Sequence, residues 1–236
     1  MDGRTKLAIA LSLVGLVVIL AGTAYVFPTA SNQGYSPEQP IPFSHKLHAG
    51  QYKMACIYCH SSVEKSKHAS VPSLNVCMNC HSVVKINSPY IQQIRKAYAE
   101  GRPIEWVRVH ELPDYAYFPH KRHVAAGLSC QNCHGNVQEM SRVYQKSALT
   151  MGWCIECHRN PEKFIRPKDE VTNLKWERPT SQESVVKELL LHNVAKDASE
   201  ARTMLAANAD PATAFGMALK DKNGVHTRQS CSTCHR

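Results

Sequence analysis

Hydrophobic patterning is concentrated at the start of the chain, where Leu7 to Phe27 forms an unbroken run without a charged residue. A helix of about 20 apolar residues crosses a hydrocarbon core, so this run predicts one transmembrane helix, with the anchor ending near residue 28. Arg4 and Lys6 precede it and Tyr25 and Phe27 close its far end. The positive-inside bias then puts the N-terminus in the cytoplasm and the remaining chain on the extracytoplasmic side, with the aromatics at the interface. Gly22-Thr23-Ala24 resembles a small-x-small cleavage site, but the apolar run is longer than the core of a usual signal peptide, and a retained anchor is expected.

Periodicity is sparse beyond the anchor. Residues 29–42 hold several prolines and no apolar repeat, which predicts an extended stalk. In the connector 88–117, Ser88-Pro89 opens a helix with apolar positions Ile91, Ile94 and Tyr98, stopped by Gly101 and Pro103. In 167–236, Thr180-Ser181-Gln182-Glu183 reads as a capping box before "SVVKELLLHNVAK", and Asp210-Pro211 opens "ATAFGMALK". That stretch is a helical insert ahead of the C-terminal motif.

An internal repeat organises the rest. "FSHKLHAGQYKMACIYCH" from Phe43 returns as "FPHKRHVAAGLSCQNCH" from Phe118, each followed by a second Cys-x-x-Cys-His. The repeat defines two modules, 43–87 and 118–166, each with a Phe-x-His-x-x-His arm and two motifs.

The motif occurs five times, at Cys56/Cys59/His60, Cys77/Cys80/His81, Cys130/Cys133/His134, Cys154/Cys157/His158 and Cys231/Cys234/His235, and consumes all ten cysteines. Cysteine pairs at this spacing also build zinc ribbons, redox motifs and disulfide frameworks. A zinc site has no use for a histidine at one fixed place after every pair, and tetrahedral sites take cysteines in fours. Cys-x-x-Cys-His is the attachment pattern for covalent haem c, the thiols adding to the porphyrin vinyls and the histidine binding the iron. Five motifs predict five haems, and the 236 residues leave too little chain to wrap each in its own core. The haems are then the core, within a mostly irregular chain of short helices.

Eight histidines lie outside the motifs: His45, His48, His68, His110, His120, His123, His192 and His226. An iron with two strong protein ligands passes electrons, whereas a catalytic haem keeps one position open. The supply exceeds the five distal ligands required and favours an electron-transfer chain. His45 and His120 are expected to close the haems of their own arms, at Cys56 and Cys130. His48 and His123, three residues on, are expected to reach other haems and staple neighbours together. His110 is the fifth choice. His68 reads as a solvated loop residue, His226 as too close to Cys231, and His192 as an ordinary helix residue. Met140 is a rival distal ligand for the fourth haem, while Met151 packs on the porphyrin.

A net charge of +9 ordinarily suggests nucleic acid or an anionic surface. Here the haem propionates are the more economical partners for the basic residues, and nucleic-acid binding is not expected.

The anchor, the arms "FSHKLH" and "FPHKRH", "CMNCH" at Cys77 and "LTMGWCIECHR" from Leu149 together resemble the pentahaem cytochrome c subunit of bacterial alternative complex III. The arms alone resemble class III multihaem cytochromes of the c3 and c7 type. The resemblance implies a c3/c7-like haem stack and a relay role within a membrane complex. Its implied partners are polytopic quinol-binding subunits, an iron-sulfur subunit related to molybdoenzymes, and a monohaem cytochrome c or terminal oxidase as acceptor. Two other classes stay open: a tetrahaem-type quinol dehydrogenase feeding a periplasmic reductase, and a haem enzyme acting on nitrite, hydroxylamine or sulfite.

Overall fold

The chain was analysed as a computed structural model that describes residues 2–206 and 210–235, with the backbone alone for 27–30. Helix α1 spans Gly3–Ser31 and opens on Asp2, whose carboxylate accepts the Thr5 amide at 2.8 Å. Its stretch Gly3–Val26 has a mean hydropathy of 2.5 and no buried residue. An exposed helix this long and apolar fits a single-pass membrane anchor. The helix runs past residue 28 and stops where Asn32 turns left-handed at φ 51°.

The segment expected to be an extended stalk is docked along the rest of the chain. The Gly34 amide donates to the Gln145 carbonyl at 2.7 Å, and the Gln145 amide donates to the Tyr35 carbonyl at 3.0 Å. Gln39 brackets Val107 through both ends of its amide, donating to the carbonyl and accepting from the N–H at 2.9 Å each. A glutamine amide offers a donor and an acceptor at peptide-like spacing, so it pairs with the backbone as a strand would. Ile41, buried at the end of this segment, packs with Ile91 and Ile94.

Most remaining elements are short. Helix α2 covers Cys56–Cys59, α3 Leu74–His81, α4 Pro89–Ala99, α5 His120–Ala125, α6 Cys130–His134 and α7 Met151–Arg159. In α4 the buried face is Ile91, Ile94 and Ala97, while Tyr98 is exposed. The i, i+3, i+6 positions face the protein, and the next residue turns away. Two isolated backbone bridges, Ala116 with His235 and Leu128 with Ile165, are the nearest approach to a sheet, and no strand forms among the described residues.

The insert holds α8 Gln182–Leu191, α9 Ala198–Ala206 and α10 Pro211–Lys222. Ser181 caps α8 with Ser184 as its reciprocal partner, one residue on from the expected box of Thr180 and Glu183. Asp210 caps α10, its carboxylate accepting from the Thr213 amide. Val185, Leu189, Leu205, Phe215 and Leu219 close on Ile165 to make the largest apolar cluster in the described chain. Gly216 allows α10 to lie on the turn at 161–163, since a Cβ there would sit 2.0 Å from the Glu162 carbonyl oxygen. The last helix, α11, is Cys231–Cys234.

Candidate metal centres

Every Cys-x-x-Cys-His motif lies on or at the end of a short helix: α2, α3, α6, α7 and α11. Residues three and four apart share a helix face, so each turn offers two thiols and leads directly to an imidazole on one side. Caps fix two of these turns. Ser129 accepts from the Gln131 amide before α6, and Thr150 accepts from the Trp153 amide before α7. Nine of the ten cysteines line one continuous cavity of about 2460 Å³, with His45, His48, His60, His81 and His134 among the imidazoles there.

The rings meet in pairs across this space. His45 faces His60 with centroids 6.5 Å apart, and His120 faces His134 at 6.5 Å. His48 faces His81 at 6.3 Å, and His123 faces His158 at 6.2 Å. With metal–imidazole bonds of about 2.0–2.1 Å on both sides, two rings sharing one ion have centroids roughly 6 Å apart. The four pairs therefore have the separation that a six-coordinate iron requires. The arm histidines His45 and His120 stand opposite motifs one and three, and His48 and His123 stand opposite motifs two and four.

In seven of the imidazoles the other ring nitrogen is occupied, which sets the tautomer, whereas Nδ1 of His45 is buried without a partner. Nδ1–H of His60 donates to the Ser70 carbonyl at 2.7 Å, that of His81 to Val84 at 3.1 Å and that of His158 to Arg228 at 2.8 Å. His235 donates to the Tyr115 carbonyl at 3.1 Å and His120 to Lys67 at 2.9 Å. His48 and His123 donate to the carbonyl four residues back in their own arms, Ser44 and Pro119. A carbonyl only accepts, so Nδ1 carries the proton and Nε2 keeps its lone pair for a metal. Burial first, then neighbouring histidines, lowers the pKa of His45 to about 4 and that of His134 to about 3. Burial likewise lowers His110 and His123. Neutral imidazole is the ligating form. The donor set, its spacing and its tautomers fit covalent haem c.

The phenylalanine of each arm has a role that the sequence did not disclose. Phe43 stacks on His48 at 4.4 Å and meets His45 edge-on at 4.9 Å. Phe118 does the same for His123 at 4.2 Å and His120 at 4.9 Å. One ring thus orients two imidazoles bound for different centres. Phe-x-His-x-x-His was the available signal, and its first residue carries as much geometry as the other two.

Two expected distal ligands stand outside the four ring pairs. His110 packs edge-on against His134 with centroids 4.3 Å apart, too close for a metal between them. Its Nε2 is buried without a hydrogen-bond partner. Met140 is buried beside Gly135, after the third motif, and the position facing His158 is held by His123. Met151 at the start of α7 is exposed. His68 and His226 are exposed on the cavity wall, and His192 sits between Asp169 and Glu188, away from the motifs. No imidazole faces His235 among the described residues.

The family of cytochrome c7 and related cytochromes c matches residues 116–188, which span the second arm and motifs three and four. The menaquinone reductase multihaem cytochrome c subunit of Nitratidesulfovibrio vulgaris is 32% identical over 169 residues, covering 62% of this chain and 79% of that protein. This chain belongs to the family of multihaem cytochrome c subunits. Its fold is the c7-like one: short helices without strands among the described residues, preceded by one apolar helix. Membership implies covalent haem c, and the repeated cysteine spacing suggests several haems.

Proposed function

We propose that this multihaem cytochrome subunit binds five haems c and acts as an electron relay, not as the catalyst, within a quinone-linked membrane complex. The cysteine pairs would hold the haems, His60, His81, His134, His158 and His235 would be the proximal ligands, and His45, His48, His120 and His123 would be distal ligands. Bound haem supplies one-electron chemistry at iron. The arm and motif histidines would hold two imidazoles on each of four irons and would leave those centres no place for a substrate. The observation that carries this reading is the set of four imidazole pairs in one cavity. Pyridine haemochrome quantitation is expected to give five haems per chain. Carbon monoxide added to the reduced protein is expected to leave four haem spectra unshifted, and a general shift would overturn the relay reading in favour of a haem enzyme.

The anchor supports a location at the cytoplasmic membrane with the haem region on the extracytoplasmic side. The division used for this reading is an anchor, a docked linker, modules at 43–87 and 118–166 joined by the connector, and the insert with the fifth motif. The resemblance to alternative complex III supports polytopic quinol-binding subunits and an iron-sulfur subunit as donors, and a monohaem cytochrome c or oxidase as acceptor. A second reading has electrons running toward the quinone pool, supported by the name of the Nitratidesulfovibrio relative as a menaquinone reductase subunit. Purification of the intact complex identifies the partners. Reduction of the haems by added menaquinol, against their oxidation by added menaquinone, then gives the direction.

A further inference from the structure

The sequence numbers the attachment sites one to five, but the structure joins them differently. Sites one and two touch directly: the Asn79 side chain, inside the second motif, donates to the Tyr58 hydroxyl, inside the first, at 2.9 Å. Cys59 and Cys77 are within electrostatic reach of each other. Site one next meets site three. The second arm pairs with the chain just after the first motif: the His120 amide donates to the Lys67 carbonyl and the Lys121 amide to the Ser66 carbonyl, both at 3.1 Å. The loop after the first motif supports this approach, since Lys67 receives the Nδ1–H of His120, which faces His134.

Sites three and four share the second arm, with His120 opposite His134 and His123 opposite His158. Cys133 is within reach of Cys154 and Cys157. Sites four and five are joined by the segment before the last motif: Arg228 accepts from His158 Nδ1, and the Gln229 side chain donates to the His158 carbonyl at 3.4 Å. Cys154 is within reach of Cys234. The exposed cysteines are Cys80 at site two and Cys231 at site five, and the other eight are partly covered.

We infer that the five attachment sites form a single unbranched line in the order two, one, three, four, five, so that sites two and five are its ends. The line rests on the five-haem relay reading. It makes the second and fifth motifs the places where electrons enter and leave, with the first, third and fourth internal. The first module is therefore threaded in reverse: its arm hands the line inward to the second module, and its second motif points out.

The test uses the full-length, haem-loaded protein in detergent, fully reduced and under carbon monoxide to close the fifth iron, so that all five haems are diamagnetic. Haem methyl and thioether signals are assigned to sites with distal variants: His48→Ala for site two, His45→Ala for site one, His120→Ala for site three and His123→Ala for site four. Each opens one iron and displaces only that haem's signals, and site five follows by exclusion. Where an alanine variant fails to mature, the corresponding His→Met variant keeps the iron six-coordinate and still marks its haem. Interhaem Overhauser effects are expected for two with one, one with three, three with four and four with five. Five signal sets joined in another order, such as two with four or one with five, would overturn the line alone. Fewer than five sets would overturn the reading beneath it.

Discussion

In each arm two histidines three residues apart face different motif histidines, and one phenylalanine lies against the second ring and meets the first edge-on. His48→Ala is therefore expected to convert the second haem to high spin and leave the first low-spin, read by resonance Raman and redox-resolved spectra. Conversion of the first haem alone would refute the crossing of the arm. The ring planes separate the centres further. They are nearly parallel at sites one and three, 4° and 9°, and inclined at sites two and four, 64° and 50°. Parallel imidazoles donate into the same iron π orbital and split the pair, whereas inclined rings bring the two orbitals closer in energy. The oxidised protein is expected to show two classes of low-spin electron paramagnetic resonance signal, two rhombic haems and two with the larger maximal g value. A single rhombic class would contradict the plane angles. At this scale the ten cysteines and five adjoining histidines could be grouped into five motifs from spacing alone. The contact of His110 with His134 could not, because a ring seated against a neighbour and a ring seated across a metal leave the same letter in the sequence.

Among the elements, the caps were the most legible feature. Ser88-Pro89, Ser181 and Asp210-Pro211 each open a helix where the sequence predicts one. The docking of 34–41 was illegible, because it depends on Gln39 pairing with a backbone segment 68 residues away. Local periodicity carries no trace of such a partner. In the insert, Gly216 and Phe215 decide whether α10 seats. Gly216→Ala puts a methyl against the Glu162 carbonyl and is expected to cost about 1–3 kcal/mol, and Phe215→Ala about 3–5 kcal/mol. Denaturant unfolding followed by tryptophan fluorescence checks both, since Trp176 stacks on Phe215 at 6.1 Å. Unchanged midpoints would show that the insert is not held by this contact.

For the whole molecule, the anchor sets location and the cavity sets chemistry. Replacing residues 1–31 with a cleavable signal is expected to give a soluble, fully haem-loaded protein that exchanges electrons with small redox dyes. The same protein is expected to leave quinol analogues unoxidised until the membrane partners are restored. Rapid quinol oxidation by the isolated full-length chain would favour the quinol dehydrogenase class. The haem-centred architecture followed from the sequence because so little chain remained per motif. The order of the sites did not, since the contacts that set it join residues far apart in the chain.

Those contacts also impose a timetable on biogenesis. His60 and His81 orient on carbonyls 10 and 3 residues away, so the first two sites can be completed as soon as the N-terminal part of the exported chain is available. His120 reaches back 53 residues to Lys67, which is already in place when it emerges. His158 must wait for Arg228, 70 residues later, and His235 closes back on Tyr115 across 120 residues. On the haem reading, maturation is expected to run from the early motifs to the late ones, with the segment 228–235 fastening His158 together with His235. A product arrested before residue 228 would carry a sound first module and an unfastened fourth centre, giving the cell's quality control a defect to recognise at the C-terminal end.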